Sequence, residues 1–373
     1  MKVFHIISSS GMYGAEAVIL NLSRILRQQG HESRLAVFAN SKNPNLQLHE
    51  RALAEGMESH IIPCSGQLDF SAIAAIRDRM LQTKADIVHT HNFKADVYAY
   101  LALRRSHIPL VATCHNWIDS DPVVTLYGKI DRFLLRNFTC VVAVSDEITR
   151  RLMKSGVRRE NIRSARNGID LRQFQAATSL AELKADGRPL AGLVGRLGHE
   201  KGVDLFIKAA AAVLKTLPGA HFVVIGEGPD RNALQHLIQE LRIADSVTLL
   251  GRRDDMASVY ASLDIMVSAS RQEGLPMAIL EGMASGLPLV ATTVGEVPTA
   301  VNDQQTGILV PPGEPALLAG AILELLRDPA KRKQMGAAGR QRIEDEFSAE
   351  RMTADYLQVY EEAAARTTAR GSA

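Results

Sequence analysis

Residues 190–202 read Leu-Ala-Gly-Leu-Val-Gly-Arg-Leu-Gly-His-Glu-Lys-Gly, an apolar run followed directly by a glycine-rich one. The apolar residues 190–194 predict a buried strand, and the glycines after them predict a tight loop. From Phe206 to Leu217, apolar residues recur at helical spacing, and a Pro-Gly pair ends them. A strand, a short loop and an amphipathic helix in this order are the unit from which parallel α/β sheets are built.

The same alternation of strand and helix occurs on both sides of this segment. In the first half of the chain, strand-like runs occur at residues 3–7, 35–39, 87–89, 110–114 and 141–144. In the second half, they occur at residues 190–194, 222–225, 247–250, 265–267, 289–291 and 308–310. Short apolar runs with helices between them are typical of parallel sheets that are covered on both faces. We therefore predict an α/β fold with two Rossmann-like domains.

Chain length and turn signals set the predicted domain boundaries. The chain has 373 residues, which suggests two domains at ~150 residues per domain. An Asn-Gly turn signal at residues 167–168 precedes the point where the strand pattern restarts. We predict an N-terminal domain over residues 1–168 and a C-terminal domain over residues 169–347. Residues 348–373 predict a helix with a tail that frays from Thr367.

Composition and charge exclude several classes of protein. Hydrophobic residues make up 46% and charged residues 23% of the chain, which is ordinary globular usage and excludes disorder and fibrous repeats. The 43 basic and 41 acidic residues leave a net charge of +2, so we predict no nucleic-acid partner. The three cysteines are far apart and odd in number, which favours a reducing, cytoplasmic compartment over a disulfide framework. No apolar run approaches the ~18 residues of a membrane-spanning helix.

A loop of small residues opens the first helix of the chain. It reads Ser-Ser-Ser-Gly-Met-Tyr-Gly at residues 8–14 and follows the first strand directly. Free backbone N–H groups at the start of a helix, together with its positive dipole end, favour an anion there. The glycine spacing is G-x-x-G, so the dinucleotide fingerprint G-x-G-x-x-G is absent. A phosphate site and a plain β–α turn without a ligand are equal alternatives for this loop.

Two cationic side chains, Arg196 and Lys201, follow the strand at residues 190–194. The carboxyl ends of strands are where open α/β sheets bind their ligands. Arg offers a planar fork of donors and Lys offers a point charge, and together they suit a diphosphate. The alternative is a pair of solvated surface cations.

Two carboxylates, Glu273 and Glu281, bracket the start of another predicted helix. Pro276 fits the first turn of that helix, which leaves Glu273 in the preceding loop and Glu281 inside the helix. The amides of Gly274 and Leu275 would be unpaired at the helix start and available to a ligand. Glu281 lies on an otherwise apolar stretch, and a buried carboxylate needs partners, which sugar hydroxyls would supply. The alternative for Glu281 is an exposed residue on the solvated face.

Histidines at two strand ends are the candidate metal ligands. His89 and His91 lie on one face of a strand end, and His115 follows another strand. A zinc site is one interpretation, but the spacing is not diagnostic, so we predict no metal and assign hydrogen-bonding roles to His91 and His115. Residues 119–121 form an Asp-x-Asp pattern that resembles a metal motif, although Pro122 after it is more typical of a turn.

Residues 124–166 are strongly basic, with ten basic and four acidic residues. In the helix predicted there, an inward face is marked by Leu126, Ile130, Phe133 and Leu134, and another side carries Lys129, Arg132 and Arg136. Each basic residue near an anionic leaflet contributes about 1 kcal/mol to attachment. This window predicts peripheral attachment to the inner face of the plasma membrane, and a solvated basic face is an equal alternative.

Taken together, the motifs resemble those of the family-4 retaining glycosyltransferases, which have the GT-B fold. They occur in order over essentially the whole chain, as Gly-Ala-Glu at 14–16, His-Thr-His at 89–91, Val-Ser-Asp at 144–146, Asn-Gly-Ile-Asp at 167–170, Gly-Arg-Leu to Lys-Gly at 195–202, Gly-Glu-Gly-Pro at 226–229, Glu-Gly-Leu-Pro to Glu at 273–281, Gly-Glu-Val-Pro at 295–298 and Gly-Ile-Leu-Val-Pro-Pro-Gly at 307–313. Each motif is weak alone, and their common order makes the resemblance strong.

The resemblance implies two Rossmann-like domains whose parallel sheets face each other across a donor-binding cleft. It implies that the C-terminal domain holds a nucleotide-sugar donor, that the N-terminal domain holds the acceptor, and that the last helix crosses back onto the N-terminal domain. By the same likeness, Arg196 and Lys201 hold the diphosphate and Glu281 holds the ribose hydroxyls. The transferred sugar is held by the loop residues Glu273, Gly274, Leu275 and Pro276.

The likeness also assigns roles in the N-terminal domain. Gly14 backs the phosphate from across the cleft, and His115 bonds the sugar. Many members carry two adjacent glycines in this loop, whereas here Met12 and Tyr13 precede the single Gly14. The resemblance to the family also implies catalytic roles for four residues, which are Glu273, His115, Arg196 and Lys201.

The expected reaction needs no metal and no cofactor beyond the nucleotide-sugar substrate. Two fixed cations stabilise the charge that builds on the departing diphosphate, as a metal does elsewhere. No second carboxylate is evident beside Glu273 for a double displacement. We therefore expect departure and attack on the same face, with the leaving phosphate taking the acceptor proton. We expect a UDP-sugar first and a GDP-sugar second, and a glycan or lipid-linked acceptor in cell-surface polysaccharide or glycolipid synthesis.

Two other functions compete with transfer. A sugar-nucleotide epimerase of the same fold would recruit His115 and Glu273 as acid and base, but the motif spacing matches transferases better. A catalytically silent nucleotide-binding partner would have no need of Arg196, Lys201, Glu273 and Glu281 together.

Overall fold

The computed structural model describes residues 1–9, 11–12, 14–41, 44–66, 68–115, 122–175, 177–184 and 187–371. Its contacts divide the chain into two compact units. The first unit comprises Met1–Gly168 and Ala349–Ala373, and the second comprises Ile169–Ser348.

The strands carry the two cores of the protein. In chain order they are β1 (Lys2–Ile7), β2 (Glu32–Asn40), β3 (Glu58–Cys64), β4 (Ile87–Thr90), β5 (Leu110–Cys114), β6 (Cys140–Ala143), β7 (Ile162–Ser164), β8 (Leu190–Val194), β9 (His221–Ile225), β10 (Val247–Gly251), β11 (Ile265–Ser268), β12 (Leu289–Thr292) and β13 (Gly307–Val310).

The helices cover the strands and connect them. They are α1 (Gly14–Gln28), α2 (Gln47–Ala54), α3 (Phe70–Thr83), α4 (Phe93–Leu103), α5 (Pro122–Leu135), α6 (Asp146–Lys154), α7 (Ala181–Lys184), α8 (Val203–Leu214), α9 (Arg231–Glu240), α10 (Met256–Ser262), α11 (Met277–Ala284), α12 (Val297–Ala300), α13 (Pro315–Arg327), α14 (Pro329–Glu346) and α15 (Ala349–Gly371). Among the residues described, none of these helices combines the length and apolar character that crossing a bilayer requires.

Each unit contains one parallel sheet. The first has seven strands in the order β3-β2-β1-β4-β5-β6-β7, and the second has six in the order β10-β9-β8-β11-β12-β13. The strand order reverses between β1 and β4 in the first sheet and between β8 and β11 in the second. Loops that leave the carboxyl ends of these neighbours diverge and open a crevice, which is where such sheets bind ligands.

All the strands predicted from the sequence are present, and the structure adds β3 and β7. These two strands form the opposite edges of the first sheet. Half of β3 is exposed, and it contains Pro63, which edge strands tolerate because one side needs no ladder hydrogen bond. β7 has only three residues. Neither strand therefore has the continuous apolar run by which central parallel strands are recognised.

The last helix, α15, belongs to the first unit, where it packs against α1, β4 and β5. Tyr356 and Tyr360 are fully buried on its inner side, and Glu362 pairs with Arg163. The helix continues to Gly371, beyond the point where the sequence predicted fraying.

The inward face predicted for α5 is wrong at Ile130 and Phe133, whereas Leu134 is half-buried and the side chain of Leu126 lies outside the described residues. Ile130 is 41% exposed and Phe133 is 62% exposed, whereas Asp131 and Leu135 are buried one turn apart. The helix is therefore rotated about its axis relative to the prediction. The buried carboxylate of Asp131 lies on the inner face, where the apolar pattern predicted hydrophobic side chains. Its solvent side consequently presents apolar and basic residues together.

Candidate active site

The glycine-rich loop after β8 lies against the chain that leaves β11. Gly202, which opens α8, adopts φ +63°. A Cβ atom at this position would lie 1.9 Å from the carbonyl oxygen of Ala269. Only glycine permits both the left-handed backbone and this close approach. The two loops that carry Lys201 and Glu273 are thereby brought together at the switch point of the second sheet.

Lys201 and Glu273 form an ion pair within this crevice. The side chains of Lys201 and Glu273 are 24% and 12% exposed. Ser270 donates a second hydrogen bond, of 3.0 Å, to the same oxygen, Oε1 of Glu273. Among the residues that the structure describes, nothing hydrogen-bonds to Oε2, so the carboxylate retains an acceptor. The Lys201 ammonium likewise has three donors and uses one of them here.

Arg196, the other predicted cation, is exposed at the start of the same loop. Within the described part of the chain its guanidinium makes no hydrogen bond or ion pair. Its five donors are thus available to an anion, whereas Lys201 would share its charge between an anion and Glu273. The structure places both cations on the loop after β8, as the sequence predicted.

The loop before α11 is held from the side by Gly295 and Glu296. The amide of Glu296 donates 3.0 Å to the carbonyl of Gly274. Gly295 adopts φ +52°, and a Cβ there would lie 1.9 Å from the Glu273 carbonyl oxygen. The amides of Gly274 and Leu275 donate to no acceptor among the described residues, so both N–H groups are available to a ligand.

The helix itself begins one residue later than the sequence suggested. α11 starts at Met277, and Pro276 is the residue that caps it. Pro276 therefore shapes the loop instead of the first turn, and its missing N–H leaves no further unpaired donor there.

Glu281 lies on the second turn of α11, whose other residues are mostly buried and apolar. Tyr260 of α10 donates a hydrogen bond of 2.7 Å to its Oε2. Burial raises the pKa of Glu281, and the hydrogen bond from Tyr260 opposes that rise. The partner that the sequence analysis required for this carboxylate is therefore a tyrosine hydroxyl.

Arg271 ties the two loops of the crevice together. Its amide donates 2.8 Å to the carbonyl of Glu200, and its Nη1 donates 2.9 Å to the carbonyl of His199. Its guanidinium also forks onto both oxygens of Asp204, at 2.7 and 2.8 Å. Burial acts to raise the pKa of Asp204, but the hydrogen bonds and charge of Arg271 lower it. Bidentate pairs of this kind fix geometry as well as adding energy.

In the first unit, Gly14 is the first residue of α1. The loop before it is ordered by Ser9, whose hydroxyl donates to the carbonyl of Gly11 at 2.8 Å and to Oε1 of the buried Glu16 at 2.9 Å. Ser10 and Tyr13 of this loop lie outside the described residues. So does the predicted turn at residues 119–121.

Three buried histidines, His5, His89 and His91, and the half-buried His115 form a group toward the carboxyl ends of β1, β4 and β5. His5 and His89 are neighbours in the register of β1 and β4, and His91 follows on the same face. His5 Nδ1 lies 3.1 Å from His91 Nε2, and His91 Nδ1 lies 3.5 Å from Nε2 of His115. Burial lowers the pKa of His5 to about 3 and that of His115 to about 4. These rings are therefore neutral at pH 7.

One ring nitrogen from each of His5, His89 and His91 can together form a group of three that all lie within 4.8 Å of one another. The sequence analysis considered His89, His91 and His115 as metal ligands instead, because His5 is far from them along the chain. In the structure, both nitrogens of His89 already bond to hydroxyls, Nδ1 to Tyr360 at 2.8 Å and Nε2 to Thr113 at 2.7 Å. The expectation of no metal stays a prediction.

Two protein-family models match the chain. The one described as Glycosyltransferase Family 4 matches residues 12–173, and the one described as Glycosyl transferases group 1 matches residues 176–342. A D-inositol 3-phosphate glycosyltransferase of Nocardia farcinica is 30% identical over 76% of this chain and 68% of its own length. The chain belongs to glycosyltransferase family 4.

Other proteins resemble this glycosyltransferase over nearly its full length. The N-acetyl-alpha-D-glucosaminyl L-malate synthase of Bacillus anthracis is 26% identical over 95% of this chain and 94% of its own. The structure of Anabaena HepE in complex with UDP has a TM-score of 0.83, covering 97% of this chain and 100% of that one at 19% identity. The fold is therefore GT-B, and the predicted family and fold class are confirmed.

Several site residues of the glycosyltransferase escaped the sequence analysis. Tyr260 bonds to the predicted residue Glu281, and Arg271 bonds to the loop that carries Lys201. Neither residue lies within a motif, so no sequence pattern indicated it. Ser270 precedes Glu273 closely and could have been suspected as a hydroxyl beside a carboxylate. The sequence analysis quoted Gly295 as part of a family motif, but it did not predict that this glycine lies against the carbonyl of Glu273.

Proposed function

We propose that this glycosyltransferase moves a sugar, with retention of anomeric configuration, from a nucleoside diphosphate sugar to a hydroxyl of a glycan or lipid-linked acceptor. The observation that carries the proposal is the set of groups at the switch point of the second sheet. Cationic Arg196 and Lys201 and two unpaired amides suit a diphosphate sugar, and Glu273 and Glu281 offer acceptors to hydroxyls. HepE has been solved with UDP and with UDP-glucose, which supports a UDP-sugar as first choice, with a GDP-sugar as the alternative.

The chemistry assigned to each group follows from its charge. Breaking the bond between the sugar and the diphosphate leaves the electron pair on the phosphate oxygen, where Arg196 and Lys201 stabilise it. Glu273, held through Oε1 by Lys201 and Ser270, uses Oε2 to accept a hydrogen bond from the sugar. Glu281 accepts from the ribose hydroxyls. The resemblance to the family assigns Gly14 to the phosphate and His115 to the sugar, and both assignments stay predictions.

Retention of configuration follows from departure and attack on one face of the sugar. The acceptor oxygen forms its bond to the anomeric carbon as the phosphate leaves, and its proton passes to the phosphate oxygen. The other carboxylates of this region are held by their own partners, Glu281 by Tyr260 and Asp204 by Arg271, so we assign no pair of carboxylates to a covalent sugar intermediate. NMR of the product is expected to show the anomeric configuration of the donor, and an inverted product would contradict this step.

We propose that the transfer is independent of metal ions. The two cations of the β8 loop supply the positive charge that Mg²⁺ supplies in other transferases. Turnover is expected to survive EDTA, whereas full loss that Mn²⁺ or Mg²⁺ restores would contradict this assignment.

A thermal-shift comparison of UDP, GDP, ADP and TDP tests the donor. A ligand present at one hundred times its Kd stabilises the folded protein by about 2.7 kcal/mol, which is enough to rank the bases. UDP is expected to give the largest shift, and no shift with any of them would overturn the proposal. Binding without turnover would favour a silent partner, and an epimer formed from donor alone would favour an epimerase.

A membrane-proximal acceptor is supported by the surface of α5 and α6. Phe133 on α5 and Met153 on α6 are 62% and 41% exposed, and the two helices are joined where Arg136 donates 2.7 Å to the Ser155 carbonyl. The exposed cations beside them include Lys129, Arg136, Arg150 and Lys154. Apolar side chains among basic ones are typical of surfaces that dock on anionic lipid headgroups. We propose reversible peripheral attachment at this surface, on the cytoplasmic face of the plasma membrane.

A further inference from the structure

The hydroxyl of Tyr260 is placed in an apolar setting with a carboxylate as its partner. Tyr260 is 0% exposed, and its ring meets the ring of Phe174 edge-on, with centroids 6.1 Å apart. Its hydroxyl donates 2.7 Å to Oε2 of Glu281. A buried tyrosine that needed only to fill space would be served equally by phenylalanine, so the hydroxyl requires an explanation of its own.

The carboxylate of Glu281 has one hydrogen-bond partner in the described chain, and that partner is Tyr260. α11 is otherwise apolar at the positions around it, with Met277, Ile279 and Leu280 buried. An ionised carboxylate has about four lone-pair sites. The tyrosine occupies one of them, which leaves three for a vicinal pair of hydroxyls.

We propose that Tyr260 is a positioning residue for donor binding, and that its hydroxyl holds the Glu281 carboxylate in the orientation that receives the two ribose hydroxyls. This inference rests on the proposed function, because it presumes that the site takes a nucleotide. Tyr260 touches no part of the donor in this role and acts only through Glu281.

The same contact favours the ionised form of the carboxylate. Burial raises the pKa of Glu281, and the hydrogen bond from Tyr260 lowers it. Two charged groups of the elements packed against α11 have partners of their own. Arg172 forks onto Asp170 at 2.8 and 2.9 Å, and Arg342 of α14 donates to backbone carbonyls of α12. Removing the tyrosine hydroxyl therefore leaves burial unopposed, and the pKa of Glu281 rises.

The sign of the pH effect follows directly. Hydroxyls donate to the ionised carboxylate, so nucleotide affinity is present above the pKa of Glu281 and is lost as the pH falls through it. A variant with a higher pKa loses affinity at a higher pH. A residue that merely supports the fold would change the melting temperature and leave this midpoint where it was.

The test measures UDP affinity by calorimetry from pH 5 to pH 9 in four forms of the full chain. These are the wild type, Tyr260→Phe, Glu281→Gln and the double variant. Tyr260→Phe is expected to weaken binding about tenfold at pH 7, the loss typical of a hydrogen bond to a charged group. Its affinity recovers as the pH rises. Glu281→Gln is expected to bind weakly at every pH, and the double variant is expected to match it, because the tyrosine acts only through the carboxylate.

Tyr98→Phe is the matched control, since Tyr98 is also a buried tyrosine with a hydrogen-bonded hydroxyl but lies in the core of the first unit. It is expected to leave UDP affinity and its pH profile unchanged. Phe174→Leu gives a second measurement if Tyr260→Phe proves unstable. It loosens the tyrosine ring and is expected to move the pH midpoint in the same direction by less.

The outcomes separate this inference from the proposed function. If the wild type binds UDP and Tyr260→Phe keeps the wild-type pH midpoint, the positioning role is overturned and the donor assignment stands. Additive losses in the double variant would overturn it as well. If the wild type binds none of the four nucleoside diphosphates, the proposed function fails and this inference fails with it.

Discussion

The two units share one architecture, yet the carboxyl ends of their central strands carry opposite kinds of chemistry. In the first unit, His5, His89 and His91 are fully buried and neutral beside His115. In the second unit, the crevice holds charges in pairs, with Lys201 against Glu273 and Arg271 against Asp204. None of the histidines of the second unit is buried.

This contrast shows that one sheet topology can carry two kinds of polar group. Neutral imidazoles both donate and accept hydrogen bonds, and those of His89 go to the hydroxyls of Tyr360 and Thr113. Fixed charges stabilise the charge that develops on a departing diphosphate. If this difference between the units holds in solution, acid and single substitutions should affect the two units differently.

The first unit is expected to be the acid-sensitive one. An unfolded histidine titrates near 6.5, whereas the folded pKa is about 3 for His5 and about 4 for His115. Below pH 6.5 the unfolded chain takes up protons that the folded unit does not, so stability is lost as the pH falls toward these values. The loss is about 1.4 kcal/mol per pH unit for each such histidine.

Pulse proteolysis in urea at pH 7.5 and pH 5.5, with fragments assigned to each unit by mass spectrometry, measures this difference. The unfolding midpoint of the first unit is expected to fall more. His5→Gln should make the stability of the first unit depend less steeply on pH, because one fewer proton is taken up on unfolding. The control, His236→Gln in the second unit, should leave that slope unchanged. Equal sensitivity of the two units would show that the buried histidines do not control acid stability.

Loss of either cation of the β8 loop is expected to lower turnover about 10²-fold or more, because we propose that each stabilises the leaving diphosphate. The variants are Arg196→Ala and Lys201→Ala, measured by steady-state donor consumption. Lys215→Ala, which removes an exposed lysine just after α8, is the control and should retain full activity. Near-normal turnover in both site variants would refute the diphosphate assignment.

The two carboxylates of the second unit are expected to act at different stages. Glu273→Gln should mainly lower kcat, since Glu273 lies at the mouth of the crevice beside Lys201. Glu281→Gln should mainly raise the donor KM, by about tenfold, because it binds the nucleotide part of the substrate. Steady-state kinetics over a range of donor concentrations separate the two effects. Identical behaviour of the variants would remove the division of roles.

The smallest expected effect concerns the surface of α5 and α6 in the first unit. Phe133→Ser should reduce sedimentation with anionic liposomes severalfold. Lys129→Ala removes one positive charge and should weaken the free energy of binding by about 1 kcal/mol. Binding should fade in 1 M salt, where the Debye length falls to about 3 Å. Leu317→Ser changes an exposed leucine of the second unit and is the control. Failure of the wild type to bind at low salt would remove the membrane proposal.

The outcome for α5 shows where sequence patterns fail. Its apolar residues Ile130 and Phe133 recur at helical spacing, which indicates a buried face, yet both are exposed. The buried Asp131 breaks the pattern because a carboxyl group inside a protein needs partners from other elements. Periodicity alone carries no information about such partners.

The sequence by itself determined the parallel α/β class, the central strands, the loops at their carboxyl ends and the family, because each depends on residues that are close along the chain. The tertiary structure alone decided which side chains meet. Lys201 pairs with Glu273, Arg271 with Asp204 and Tyr260 with Glu281 across long separations. His5 meets His89 only because β1 lies beside β4. Strand order and register determine these side-chain contacts. Both depend on how the whole sheet packs, which no local sequence pattern encodes.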